Sequence, residues 1–182
     1  MKTWEARMKE GMELTSKGVD LRPVVVRYRE EFRDAFERLN REWIENYFVL
    51  EPADQEILGD PQRKIVDPGG QVFFVLDRDE VQGTCAVLRH SADECEIAKM
   101  AVAPAARGQG YGDLLMEACL VFAREIDSRR VVIVSNTVLA PAIRLYQKHG
   151  FVQVPLASDS RYRRANIRLE LELSPTVRAS IP

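Results

Sequence analysis

Several things are scarce in this chain, and each scarcity excludes something. No apolar run approaches the length of a membrane span, so no membrane-embedded helix is expected. Neither sign of charge prevails: 26 Lys and Arg stand against 28 Asp and Glu. No basic surface therefore argues for nucleic acid. Cysteine is rare and odd in number, and Cys85, Cys95 and Cys119 show neither metal-ligand spacing nor a C-x-x-C pair. Two fall in strand-like runs and one on the apolar side of a helix, so buried free thiols are expected. His90 and His149 are the two histidines and share no motif. Both read as surface residues, and no metal site is expected. The first residues lack the apolar core of a signal peptide, which points with the free thiols to the cytoplasm. Internal repeats and low-complexity segments are absent. What is present is 182 residues, 46% of them apolar, enough for one domain with a single core.

Periodicity divides the chain into elements. Residues 22–28 carry Val24-Val25-Val26 and read as a strand. A helix follows with Phe32, Phe36, Leu39, Trp43 and Tyr47 on one face. A short helix comes next, opened by Pro52 and closed by Gly59. Asp67-Pro68-Gly69-Gly70 is a turn. Residues 72–76 and 82–89 pair as a hairpin, and residues 96–102 form a further strand closed by Pro104. Leu114, Leu115, Ala118, Cys119, Phe122 and Ile126 recur at helical spacing. Val131 to Val134 is a continuous apolar run, as in a strand buried on both faces. A second helix holds Ala142, Ile143, Leu145 and Tyr146, with Pro141 in its first turn and Gly150 as its C-cap. Ile167, Leu169, Leu171 and Leu173 alternate with charged residues, which marks a half-buried strand. This order implies one α/β domain over residues 21–175, a sheet with helices on both faces. Residues 1–20, with Trp4, Met8 and Met12 at four-residue spacing, fit either a short helix or a disordered extension. Residues 176–182 read as a tail.

The most informative stretch is Arg107-Gly108-Gln109-Gly110-Tyr111-Gly112, between a strand and a helix. Three glycines in five residues permit a sharp turn and leave backbone N–H groups unshielded. At a helix N-terminus those groups favour an anion. A dinucleotide fingerprint fails on spacing, because Asp113 stands where its third glycine belongs. A P-loop fails on chemistry, because Asp113 and Leu114 replace its Lys and Ser or Thr. A third pattern, Arg/Gln-x-x-Gly-x-Gly/Ala, is met by Arg107, Gly110 and Gly112. Downstream come Asn136, then Ala142-x-x-x-Tyr146, then Gly150-Phe151. From about Glu96 to Phe151 this order resembles the cofactor site of the GNAT superfamily of acyl-CoA-dependent N-acyltransferases. Between the Asn and the Tyr the chain is longer than in many members by about one helical turn, at Leu139-Ala140-Pro141.

The resemblance implies an α/β GNAT fold: a mixed central sheet with helices on both faces and two parallel central strands that splay apart. Those strands would be residues 96–102 and 131–135, and an extended pantetheine arm would bind between them. It implies acetyl-CoA as co-substrate, held by Met100, Ala101, Val102, Arg107, Gly108, Gln109, Gly110, Tyr111, Gly112, Asn136 and Tyr146. An amine must lose a proton before it attacks a thioester, and the leaving thiolate benefits from one. Tyr146 matches the position that serves as general acid; its other reading is a core aromatic. Glu96 resembles an acid that several members carry as base, acting through water; its other reading is a solvated edge charge. By alternation Glu96 shares a face with Ala98, Met100 and Val102, unless a bulge interrupts the strand. The backbone N–H of Met100 or Val102 could polarise the thioester oxygen. Lys99 reads as a surface charge.

The implied acceptor is a primary amine of a small molecule, amino acid or peptide. In this fold the first helix and the loop before the last strand border its pocket. Here they carry Trp43, Tyr47 and Phe48, read as core, and Arg161-Tyr162-Arg163-Arg164. Those arginines read as a solvated loop or as a binder of a substrate carboxylate. A rival from another class is a non-catalytic acyl-CoA-binding sensor that would not depend on Tyr146 or Glu96. Assembly, such as a homodimer, is compatible with either.

Overall fold

The structure is a computed structural model that describes residues 22–156 and 161–174. Trp4, Met8, Met12 and the expected tail lie outside the described residues. Among the described residues seven strands form one sheet: β1 Val24–Arg27, β2 Gln71–Asp77, β3 Glu80–Arg89, β4 Glu94–Val102, β5 Arg130–Ser135, β6 Val152–Val154 and β7 Ile167–Glu172. Their spatial order is β1-β2-β3-β4-β5-β7-β6. Only β4 and β5 pair in parallel; the other neighbours are antiparallel. The α-helices of the described residues are α1 Arg33–Tyr47, α2 Pro52–Gly59, α3 Tyr111–Glu125 and α4 Ala140–Lys148.

Strand alternation builds a core on each side of the sheet. Val72, Phe74, Ala86 and Leu88 pack with Phe32, Phe36 and Ile44 beneath α1 and with Ile57 and Leu58 of α2. Their neighbours Phe73, Val75, Cys85 and Val87 pack on the other face with Leu115, Met116, Cys119 and Phe122 of α3. Both faces of β2 and β3 are therefore dry, which explains their nearly unbroken apolar runs. All three cysteines are free and buried. Among the described residues no helix is long and apolar enough to cross a membrane.

Two local features shape the central cleft of the molecule. The α1 stripe does not stay on the core. Four-residue steps overshoot a helical turn of 3.6 residues, so the stripe drifts around the helix. Ile44 takes the core position, while Trp43 is half-buried and Tyr47 is 52% exposed. The second feature is a β-bulge in β4. Ala86 pairs with Ala98, but Thr84 pairs with Ala101, so Lys99 and Met100 together oppose Cys85. Lys99 takes the left-handed φ of 54°, as an extra bulge residue does.

Candidate active site

The pairing of β4 with β5 stops early. It covers Glu94, Cys95 and Glu96 against Arg130, Val131 and Val132, although both strands run on. Beyond Glu96 the strands diverge, and a cavity of about 520 Å³ opens between them. That volume is within the usual range for small-ligand sites. Its walls are β4 from Glu96 to Val102, the glycine turn, β5 from Ile133 to Ser135 with Asn136 just after it, and α4.

At one end stands the glycine turn. Gly108 and Gly110 have φ of 80° and 83°, a region open to glycine at little cost. Gly110 is the N-cap of α3, so the first N–H groups of that helix face the turn. A Cβ built on Gly108 or Gly110 meets no protein atom within 4 Å. The cradle is thus open on its outer side, as an anion site requires. Tyr111 is buried, and its hydroxyl donates to Asp77 at 2.8 Å, which pins the start of α3 to the end of β2. The Asp77 carboxylate raises the Tyr111 phenol above its ordinary pKa. Asp113, an acid beside this cradle, accepts from Lys148 at 2.7 Å and from His149 at 2.9 Å. Lys148 and then His149 hold its carboxyl below the usual range. The Lys148 cation at the end of α4 offsets the one acid that would repel an anion here. His149 is therefore not the surface residue expected: its side chain is only 14% exposed.

Midway, Tyr146 and Glu96 both line the cavity. Tyr146 is 7% exposed and packs edge-on against Phe151. Among the described residues its hydroxyl has no hydrogen-bond partner. Burial pushes its phenol well above the ordinary value, so it stays protonated at neutral pH. Glu96 is buried, and its carboxylate lies 2.8 Å from His90 Nε2. It is not a solvated edge charge. The bulge also separates it from two of its expected companions: Ala98, before the bulge, packs toward α1, whereas Met100 and Val102, after it, pack toward α3. Alternation fails past Lys99 because one extra residue inverts every later side chain.

The far end overturns three expectations. Trp43, Tyr47 and Phe48, expected in the core, line the cavity, and only Trp43 and Phe48 also touch the rim of the core. Lys99 is 6% exposed, because the bulge turns it inward. Its ammonium donates to Asp54 and, at 2.9 Å, to the Tyr162 hydroxyl. Arg164 belongs neither to a solvated loop nor to an unpaired carboxylate binder. Its guanidinium donates to both Asp54 oxygens at 2.7 and 2.8 Å and to Glu51 at 3.1 Å, and it stacks over Tyr162. Burial works against ionisation of Asp54, but Arg164 and then Lys99 prevail and hold its pKa below the usual value. Glu51 and Asp54 form the capping box of α2, and Glu51 also accepts from the Arg163 N–H at 3.0 Å. Asn136 donates to the Arg164 carbonyl and accepts from the Val138 N–H. Its amide thereby ties β5 to the segment before β7. Pro52 signals a helix start in sequence; nothing in sequence points Asp54 at Lys99.

Comparisons with known proteins agree with this geometry. The family model described as the acetyltransferase (GNAT) domain matches residues 68–153. Over those residues, which hold the glycine turn and both diverging strands, the chain is similar to GNAT acetyltransferases. An uncharacterised N-acetyltransferase of Schizosaccharomyces pombe is 26% identical over 123 residues, 65% of this chain and 75% of that protein. A GNAT-family acetyltransferase of Staphylococcus aureus shares the fold with a TM-score of 0.76 and 16% identity, over 84% of this chain and all of that one. An acetyltransferase from Salmonella typhimurium, solved with its cofactor acetyl-CoA, superposes with a TM-score of 0.65 and 17% identity, over 84% and 94%. The GNAT fold expected from the sequence is thus the fold observed, including the splay of β4 from β5.

Proposed function

We propose that this chain moves an acetyl group from acetyl-CoA to a primary amine by direct attack, with no acyl-enzyme. The observation that carries this is the single cavity running from an open glycine cradle, between Tyr146 and Glu96, to an aromatic and charged end. In this reading the N–H groups of residues 107–112 hold the pyrophosphate. The edge of β4 at Met100, Ala101 and Val102, left without β5, pairs with the amides of the pantetheine arm. A backbone N–H of Met100 or Val102 polarises the thioester oxygen. Glu96 takes the ammonium proton, directly or through water, and Tyr146 protonates the departing sulfur.

The acceptor end narrows the amine. Lys99 and Arg164, the cations that line it, are already matched by Asp54 and Glu51. A carboxylate brought in by a substrate would have to break those pairs. Glu96 and the rings of Trp43, Tyr47 and Phe48 instead suit an ammonium carried on an apolar group. This favours a small amine without an adjacent carboxylate over an amino acid. A thiol-release assay with acetyl-CoA and matched pairs, such as phenethylamine with phenylalanine, tests it. Amine-dependent release, faster for the amine than for the amino acid, is the expected result. Calorimetric acetyl-CoA binding with no release on any amine or peptide would favour the sensor reading.

The cradle has its own test. Gly110→Val places a branched side chain at a left-handed φ, which costs about 1–2 kcal/mol of backbone strain. It meets no protein atom, so the fold is expected to survive. CoA affinity by calorimetry is expected to fall steeply, because the new methyls occupy the space a phosphate needs. Unchanged affinity would place the pyrophosphate elsewhere.

A further inference from the structure

We propose that His90 is a positioning residue that carries the acceptor's proton from Glu96 to solvent; the inference rests on the reading of Glu96 as base. Glu96 is 7% exposed, so a proton it accepts needs a partner through which to leave. The structure supplies one such partner. His90 Nε2 lies 2.8 Å from Glu96 Oε2, and the His90 side chain is 31% exposed. The β3–β4 hairpin holds this pair in register: Leu88 pairs with Glu96, and the His90 N–H donates to the Glu94 carbonyl at 3.0 Å.

The two residues also face different spaces. Glu96 lines the active-site cavity, whereas His90 lines a second cavity of about 420 Å³ between α2, the short π-helix Gln62–Val66 and the hairpin. The charged groups around His90 there are Glu56, Lys64, Arg89 and Arg161. Lys64 is paired with Glu56 at 3.0 Å, and Arg89 donates to the Ser91 carbonyl. Glu96 is thus the carboxylate that engages the ring, and the ring joins the active-site cavity to the second one.

The proton balance closes. The acceptor ammonium gives a proton to the Glu96 carboxylate, and the free amine forms its bond to the acetyl carbon as the C–S bond breaks; Tyr146 protonates the departing thiolate and regains a proton from the second N–H that the nitrogen sheds on becoming an amide. Glu96 passes its proton to Nε2 of neutral His90. The imidazolium releases its Nδ1 proton to water in the second cavity. A flip of the ring then brings the Nε2–H to that water, and exchange there restores an unprotonated Nε2 before the next turnover.

Two variants of the whole chain test this with acetyl-CoA and the best amine found. His90→Gln keeps a hydrogen bond to Glu96 and cannot relay a proton. His90→Ala leaves room for free imidazole. Both are expected to lower kcat by roughly tenfold, less than loss of a general base costs, with KM and acetyl-CoA affinity unchanged. Added imidazole is expected to restore His90→Ala in proportion to its concentration and to leave Glu96→Gln inactive. Wild-type kcat in His90→Gln would show that the hydrogen bond alone suffices and would overturn the relay. Loss in both variants without imidazole rescue would overturn it equally, as a structural effect. Full activity of Glu96→Gln would remove the base and the relay together. An inactive Glu96→Gln beside a fully active His90→Gln would remove the relay alone.

Discussion

Tyr146→Phe is expected to lower turnover by about 10²-fold, the lower end of the range for a general acid, with acetyl-CoA affinity nearly unchanged. The phenol lies on the cavity wall, and among the described residues no hydrogen bond engages it. Removing it therefore leaves no buried donor or acceptor unpaired. The ring and its packing on Phe151 remain, so the melting temperature should hold as well. The size of the effect follows from acidity. Burial raises the phenol above its usual pKa, while an ordinary thiol ionises near about 8.5. A phenol so placed yields its proton reluctantly to a thiolate, which limits the acceleration it supplies. Steady-state kinetics with calorimetry on the same samples separates the outcomes. Wild-type turnover would return Tyr146 to the core-aromatic role. Joint loss of turnover and binding would mean that it shapes the cofactor site without acting as acid.

The largest expected effect on stability is at Asp54. Asp54→Asn should cost about 3–5 kcal/mol, the usual penalty for breaking one side of a buried ion pair. Asp54 has no exposed surface, and Lys99 and Arg164 both donate to it. The carboxamide leaves the buried Lys99 ammonium without a countercharge. Replacing that ammonium too, in Asp54→Asn with Lys99→Met, should recover much of the loss, because an apolar chain has no charge to desolvate. Urea unfolding midpoints measure both. A loss below about 1 kcal/mol would describe an exposed pair and contradict the burial. The pH dependence has a definite sign. The pKa of Asp54 is lowered in the folded state, so the unfolded chain binds its proton first as pH falls. Its contribution is full above the ordinary carboxylate range and is lost as pH falls through the folded value. Wild-type stability should therefore decline in acid more steeply than that of Asp54→Asn.

The same cluster explains how the acceptor end is assembled. Lys99 from β4, Asp54 from α2, and Tyr162 and Arg164 from the segment before β7 are distant in sequence. Their mutual pairing holds the aromatic end of α1 and that segment against the open edge of β4. It also leaves those cations without spare charge, which is why an acceptor carboxylate is disfavoured. In sequence the arginine run reads as a solvated loop or as a carboxylate binder, because composition does not reveal which charges are already matched.

Much of the molecule was legible in one dimension. Alternation along residues 167–173, the apolar run at Val131 to Val134 and the helical spacing from Leu114 to Ile126 each report a local backbone state, and periodicity encodes that state directly. The glycine turn was legible for the same reason: positive φ at Gly108 and Gly110 is a local demand that glycine meets. From these the element order, the helices on both faces and the family resemblance could be read. What only the tertiary structure decided depends on a single inserted residue and on long-range charge. One bulge at Lys99 inverts the faces of β4, brings a lysine inside and parts Glu96 from Met100 and Val102. A period-two pattern cannot show where it will slip. The partners Asp54, Tyr162 and His90 came to light only in three dimensions, because pairing of charges is set by distance in space, and the sequence records only distance along the chain.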